Sequence, residues 1–68
     1  MKKKAVYIDE ICYPSIFTAA IDMEMSYPHL YEALHKNDGA PTVYGGHIVM
    51  LSAWLSAHPE YEIGEYKP

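Results

Sequence analysis

The sequence predicts an α+β fold in one small domain. Apolar residues alternate in short runs near both ends, recur every three or four residues between them, and are separated by Pro and Gly. A chain of 68 residues has room for one core, so residues 1–68 form a single unit. Its predicted parts are a hairpin over 5–13, a helix-turn-helix over 15–37, a hairpin with a short helix over 42–58, and an acidic tail over 59–68.

The first hairpin is predicted from two short apolar runs. Val6 and Ile8 point to one face of a strand, and the run 11–13 follows after two acidic residues. Those two residues, Asp9 and Glu10, are unfavourable in a two-residue hairpin turn, where Gly or Asn usually takes the positive φ angles. We therefore expect an unusual turn at this place.

The first helix is predicted from about residue 16 to residue 23, with Ser15 as its N-cap. Its apolar residues recur with the spacing of a buried helix. They fall on two adjoining stripes that we expect to be buried: Ile16, Ala20 and Met23 on one, and Phe17 and Ile21 on the other.

A second helix is predicted from a cap at Ser26 to about Lys36. Pro28 lies in its first turn, where the missing N–H does no harm. Leu30 and Leu34 share one side of this helix and are predicted to face the core.

The region 42–51 predicts a second hairpin around a Gly-Gly turn. A helix that starts near His47 is the competing interpretation. Ser52 is a candidate cap for a short helix over 53–58, which Trp54 would anchor to the core. The sequence leaves residues 47–58 open between strand and helix.

The charge balance restricts the partners. Nine acidic residues oppose five lysines, the formal net charge is −4, and there is no arginine. Arginine is the residue used most for guanine edges and phosphate forks, so a DNA reader without one would be unusual. Three lysines, Lys2, Lys3 and Lys4, are clustered at the start of the sequence. No apolar run is long enough to span a membrane, so we expect a cytoplasmic protein of a bacterial host cell with no membrane partner.

Residues 17–34 resemble a helix-turn-helix module of the kind attached to intron-encoded homing endonucleases and found in short phage proteins. The resemblance is carried by Ala19-Ala20, by Met25-Ser26 at the turn, and by Leu30, Ala33 and Leu34 in the second helix. It covers about residues 5–50. It implies a strand before and after the helix pair, and a second helix that enters the DNA major groove.

The sequence departs from that family in two ways. Glu24 stands where the family usually has the turn glycine, at a position expected to need positive φ, and costs about 1 kcal/mol. The outward positions of the second helix are not basic: they are Tyr27, His29, Tyr31 and Glu32. The resemblance thus favours the fold more than it favours DNA reading.

Two groups of residues are candidates for partner binding. The first is a stripe on the second helix with an adjacent acid, which is typical of a docking face: Tyr27, Tyr31, His35 and Glu32. The bland alternative is that the tyrosines complete the core. The second group lies in the acidic tail, where carboxylates can mimic a row of phosphates: Glu60, Tyr61, Glu62 and Glu65. The bland alternative there is a solvated end.

Metal binding and catalysis have little support. No pair of histidines has a recognised zinc spacing, and Cys12 is expected to be a small buried residue. A site assembled from Cys12, His47 and a distant ligand is a minor alternative. No catalytic triad or phosphate-binding glycine loop is present, so we predict no catalytic residues and no cofactor.

We therefore expect a non-enzymatic protein-binding module. Small acidic phage-type proteins with these features resemble inhibitors of host nucleic-acid machinery, and anti-CRISPR proteins are one such class. The expected partner is the basic surface of a host nucleic-acid-binding protein or CRISPR effector. The alternatives are a DNA-binding regulator or excision-type factor, acting as a homodimer through the second helix and Lys2 to Lys4, and a metal-stabilised adaptor.

Overall fold

A computed structural model describes residues 4–62 of the chain. Over this range the order is two strands, two helices, two strands and a last helix. The elements are β1 (Val6–Ile8), β2 (Ile11–Tyr13), α1 (Ile16–Asp22), α2 (Tyr27–Lys36), β3 (Thr42–Tyr44), β4 (His47–Leu51) and α3 (Ser52–Ala57). The α+β prediction is confirmed, and residues 47–58 contain both a strand and a helix.

The four strands form one antiparallel sheet in the order β2-β1-β4-β3. Each hairpin contributes one central and one edge strand. β1 and β4 join the two hairpins, with Val6 opposite Leu51 and Ile8 opposite Val49. Because opposed residues lie on the same face, these four side chains form one apolar surface.

The core lies between that apolar surface and the two longer helices. The inner face of α2 contributes Leu30 and Leu34, which are fully buried, as predicted. From α1, Ile16 and the pair Ala19 and Ala20 complete the cluster. The small alanine side chains let α1 approach α2 closely, so the helices cover the sheet as a pair.

The β1–β2 turn is built from two acidic residues in the left-handed region. Asp9 has φ of 48° and Glu10 of 72°, a conformation that costs a non-glycine residue free energy. Asp9 offsets this cost through β4: its N–H donates to the Ile48 carbonyl and its Oδ1 accepts from the Ile48 N–H, both at 3.0 Å. His47 Nδ1 donates to Asp9 Oδ2. These bonds to the carboxylate lower the pKa of Asp9 from its usual 3.8, the His47 bond most strongly.

The end of α1 confirms the expectation for Glu24. Its φ is 55°, and the backbone around it closes the helix with two bonds: Met25 N–H to Ala20 O at 2.8 Å and Glu24 N–H to Ile21 O at 3.2 Å. This is the Schellman arrangement, in which glycine is the preferred residue at the left-handed position.

The end of α2 repeats the arrangement with Asp38 at the left-handed position, at φ of 53°. Gly39 follows at φ of 86°, and its N–H donates to Leu34 O at 2.8 Å. A Cβ on Gly39 would lie 2.9 Å from the Cδ1 of Leu51. Glycine therefore lets the chain leave α2 in direct contact with β4.

Two burial predictions are wrong. Phe17 and Ile21 are 60% and 63% exposed, because the face of α1 that meets the sheet and α2 is the one that carries Ile16, Ala19 and Ala20. Cys12 is exposed as well, since it lies on the edge strand β2 and on the sheet face opposite the helices.

Two of the three predicted N-caps, Ser15 and Ser26, hold their expected positions, and the third does not. Ser15 caps α1 by accepting from the Thr18 N–H, as expected, and α1 ends at Asp22 with Met23 as its C-cap. Ser26 holds the N-cap position of α2 without a side-chain capping bond. Ser52 is the first residue of α3 and Leu51 its N-cap, because β4 runs directly into the helix.

Replacing Glu24 by glycine should stabilise the fold by about 1 kcal/mol, since glycine takes positive φ without steric cost. The measurement is the free energy of unfolding from urea titrations. Glu32→Gly in the middle of α2 is the matched control and should destabilise by about 1 kcal/mol. A loss of stability in both variants would contradict strain at Glu24.

The Asp9 bonds should make stability depend on pH. Because the folded state lowers the pKa of Asp9, its contribution is complete above about 3.8 and is lost as pH falls through the lower folded value. Asp9→Asn should therefore be less stable than the wild type at pH 6, by at most about 1 kcal/mol for this exposed pair. The difference should narrow as pH falls below 3.8, and a gap that stays constant across that range would show that ionisation of Asp9 is not its cause.

Candidate functional site

Four rings form a continuous line across α1 and α2, which we name the aromatic row: Phe17, Tyr27, Tyr31 and His35. Phe17 meets Tyr27 edge to face with centroids 5.9 Å apart, and Tyr27 lies 6.1 Å from Tyr31. Tyr31 stacks on His35 at 4.0 Å. Three rings of the row come from successive turns of α2, and the fourth extends it onto α1.

The row faces solvent. Phe17 is 60% exposed, and Tyr27 and Tyr31 are 40% and 42% exposed. The spacing of α2 explains this, because Leu30 and Leu34 hold the opposite side of the helix in the core. The tyrosines therefore do not complete the core, and the predicted docking stripe on α2 is an exposed surface.

Lys4 closes one end of the row. His35 Nδ1 lies 2.9 Å from the Tyr31 carbonyl oxygen and donates to it, so its Nε2 is free to accept from the Lys4 ammonium at 2.8 Å. The same ammonium lies 6.0 Å from the centroid of the Tyr31 ring. One face of Tyr31 thus meets an imidazole, and a cation lies near the ring.

Two shallow grooves, both open to solvent, run beside the row. The groove on the α1 side has a volume of about 340 Å³ and is lined by Lys4, Phe17, Thr18, Tyr27 and Tyr31, among others. The groove on the other side is larger, about 920 Å³, and is lined by Tyr27, Pro28, Tyr31, Glu32, His35 and Lys36. A ligand can therefore contact the rings from either side.

The charge around the row is not acidic. Lys4 and Lys36, the two lysines within residues 4–62, both line its grooves, and Glu32 is the acidic residue there. Neither lysine forms an ion pair with a carboxylate of the described part of the chain, where the ion pair joins His47 and Asp9. The predicted combination of acidic and tyrosine-rich character therefore does not hold at this surface.

The predicted binding residues of the tail lie apart from the aromatic row. Tyr61 packs edge to face on Trp54 at 5.2 Å, and Trp54 also stacks on His58 at 4.0 Å. Glu60 and Glu62 are exposed, and Glu65 lies outside the described residues. In the described part of the chain, no ring contact or hydrogen bond of residues 58–61 reaches the aromatic row, so the predicted binding set divides into two groups.

Sequence reasoning missed two residues of the site. The spacing of Phe17 to Ile21 is that of a buried stripe and predicts a core position. Lys4 is expected only as part of the lysine cluster of the DNA-binding alternative, and its contact with His35 forms only when β1 has joined the sheet. The exposure of Phe17 could have been suspected from the two alanines, which suit close helix packing better than a phenylalanine does.

The described residues contain no cluster of metal ligands and no membrane-spanning helix. Within residues 4–62 no three His, Cys, Asp or Glu side chains come together as a metal site. Over the same range no helix is long and apolar enough to cross a membrane.

Comparison with known proteins adds no relative. No protein-family model matches the chain, and no curated protein or solved structure is detectably similar to it. The resemblance to homing-endonuclease modules stays a prediction from the sequence.

Removing a ring of the row should leave the fold intact. Tyr31→Ala loses exposed ring contacts and should reduce the free energy of unfolding by at most about 1 kcal/mol. Leu30→Ala, next to it and fully buried, should cost about 2–5 kcal/mol. Urea unfolding of both variants checks this, and similar losses would mean that the row is structural.

Proposed function

We propose that this protein is a non-enzymatic protein-binding module and that the aromatic row is its docking surface. The observation that carries the proposal is the exposure of three adjoining aromatic side chains on a chain with so small a core. Tyrosine and other aromatic side chains are enriched in the centres of protein interfaces, where they bring large contact area at low entropic cost.

Position supports the same interpretation. The row lies on helices that a sheet and a buried Leu pair hold in place, so its rings are organised before a partner arrives. Preorganised surfaces lose less conformational entropy on binding. The grooves on both sides give a partner places to insert side chains between the rings.

In this proposal the module inhibits a host nucleic-acid-handling protein, in the manner of small phage proteins such as anti-CRISPR inhibitors. The basis is the analogy of size and net charge together with the resemblance of residues 17–34. The exposed carboxylate of Glu60 would meet a basic surface on the partner, while the row supplies the apolar contact.

A second candidate is a DNA-binding regulator, because the structure holds the Lys4 ammonium against His35 of the second helix. A lysine there could contact a phosphate beside the major groove. Glu32 on the same helix and the net charge of −4 oppose it.

The deciding experiment is affinity capture from a lysate of the host bacterium, with the wild type and a Tyr27→Ala/Tyr31→Ala double variant as bait. We expect a nucleic-acid-binding protein to be retained by the wild type and lost from the double variant. Ile11→Ala is the matched control, since it removes a side chain that is 58% exposed but lies away from the row.

The DNA candidate is tested in parallel by fluorescence anisotropy with mixed-sequence duplex DNA across salt concentrations. Binding that falls linearly in log salt would favour the regulator.

In the capture experiment, docking on the row would be contradicted if the double variant retained the same protein as well as the wild type does.

A further inference from the structure

We infer that the aromatic row takes an acidic peptide segment of its protein partner, with carboxylates against Lys4 and Lys36, one in each groove, and apolar side chains against Phe17 and Tyr27. This inference rests on the proposed function and deepens it by naming the chemistry of the segment. The bound segment would be acidic, whereas the net charge of the chain suggests a basic partner surface.

The distribution of charge is the first argument. Eight acidic residues lie within residues 4–62, yet the two lysines of that range both line the grooves of the row. Neither forms an ion pair with any of those acids. Two ammonium groups without a carboxylate at an apolar surface complement a ligand that brings its own.

The second argument comes from the two hydrogen bonds of the His35 ring, which fix its tautomer. Its Nδ1 donates to the Tyr31 carbonyl and its Nε2 accepts from Lys4. The imidazole therefore holds the ammonium at the row without adding or cancelling charge, and the Lys4 ammonium has further N–H groups for an incoming carboxylate. Glu32 shares the larger groove with Lys36 and opposes a carboxylate there, so reversing its charge should strengthen binding.

The competing occupant is single-stranded nucleic acid, which stacks bases on exposed rings. The geometry does not favour it. Stacking of successive bases needs open ring faces that lie side by side, but Tyr31 has one face against His35 at 4.0 Å, and Tyr27 is inclined by 66° to Phe17 and by 42° to Tyr31.

The test begins with a display library of random peptides selected on the immobilised full-length wild type and counter-selected on the Tyr27→Ala/Tyr31→Ala variant. We expect enriched sequences to combine Asp or Glu with apolar residues. An enriched peptide is then synthesised and titrated by anisotropy. Lys36→Glu should weaken its binding by about fivefold, and Glu32→Lys should strengthen it by a similar factor.

Glu10→Lys is the matched control, a charge reversal of the same kind at an exposed residue of the β1–β2 turn that lines neither groove of the row, and it should leave affinity within twofold at physiological salt. An equal gain in Glu10→Lys and Glu32→Lys would assign the effect to net charge and overturn the inference. Competition by a thymidine oligonucleotide would overturn it in favour of nucleic acid.

The outcomes also separate this inference from the proposed function. Enriched peptides that are neutral or basic but still need the two tyrosines would overturn the acidic segment and leave protein docking on the row intact. No enrichment over the double variant would overturn the segment, while lysate capture still reports on docking.

Discussion

The pairing of β1 with β4 is the constraint on which the rest of the structure depends. It joins residues more than forty positions apart, setting Val6 against Leu51 and Ile8 against Val49. Without it the two hairpins would be separate ribbons, and isolated two-stranded hairpins are marginal in water. With it they become one sheet with a single apolar face, against which α1 and α2 pack. The Asp9 bonds to Ile48 and His47 fasten the same pair of strands at the other end.

The sequence predicted those parts of the fold that local patterns control. Both hairpins, the two central helices and the buried pair Leu30 and Leu34 follow from alternation, helical spacing and capping residues. The exposure of Phe17 and Ile21 does not follow from periodicity alone, because α1 carries two apolar stripes and a small core covers only one of them. Periodicity identifies the apolar stripes of a helix, but tertiary packing against the sheet and α2 decides which stripe is buried.

The sequence predicted the ring positions on α2 but not the charged residues around them. The stripe Tyr27, Tyr31 and His35 follows from a spacing of four residues, and it is exposed in the structure. The acidic character expected of it came from Glu32 and from the net charge of the whole chain, an average that conceals the position of Lys4 and Lys36 in the grooves of the row. Lys4 joins the row only through β1, which is a contact between distant parts of the sequence. Net charge is therefore a poor guide to the surface of a small domain whose few cations are gathered in one place.

The position of Trp54 has a practical consequence for spectroscopy. The single indole of the chain stacks on His58 and meets Tyr61, on α3 and the segment after it, with no ring contact to the aromatic row. Its emission reports on the packing of that corner and on the neighbouring imidazole. Ligand binding to the row is better followed through the tyrosines or an attached dye, because Trp54 lies in a different part of the molecule.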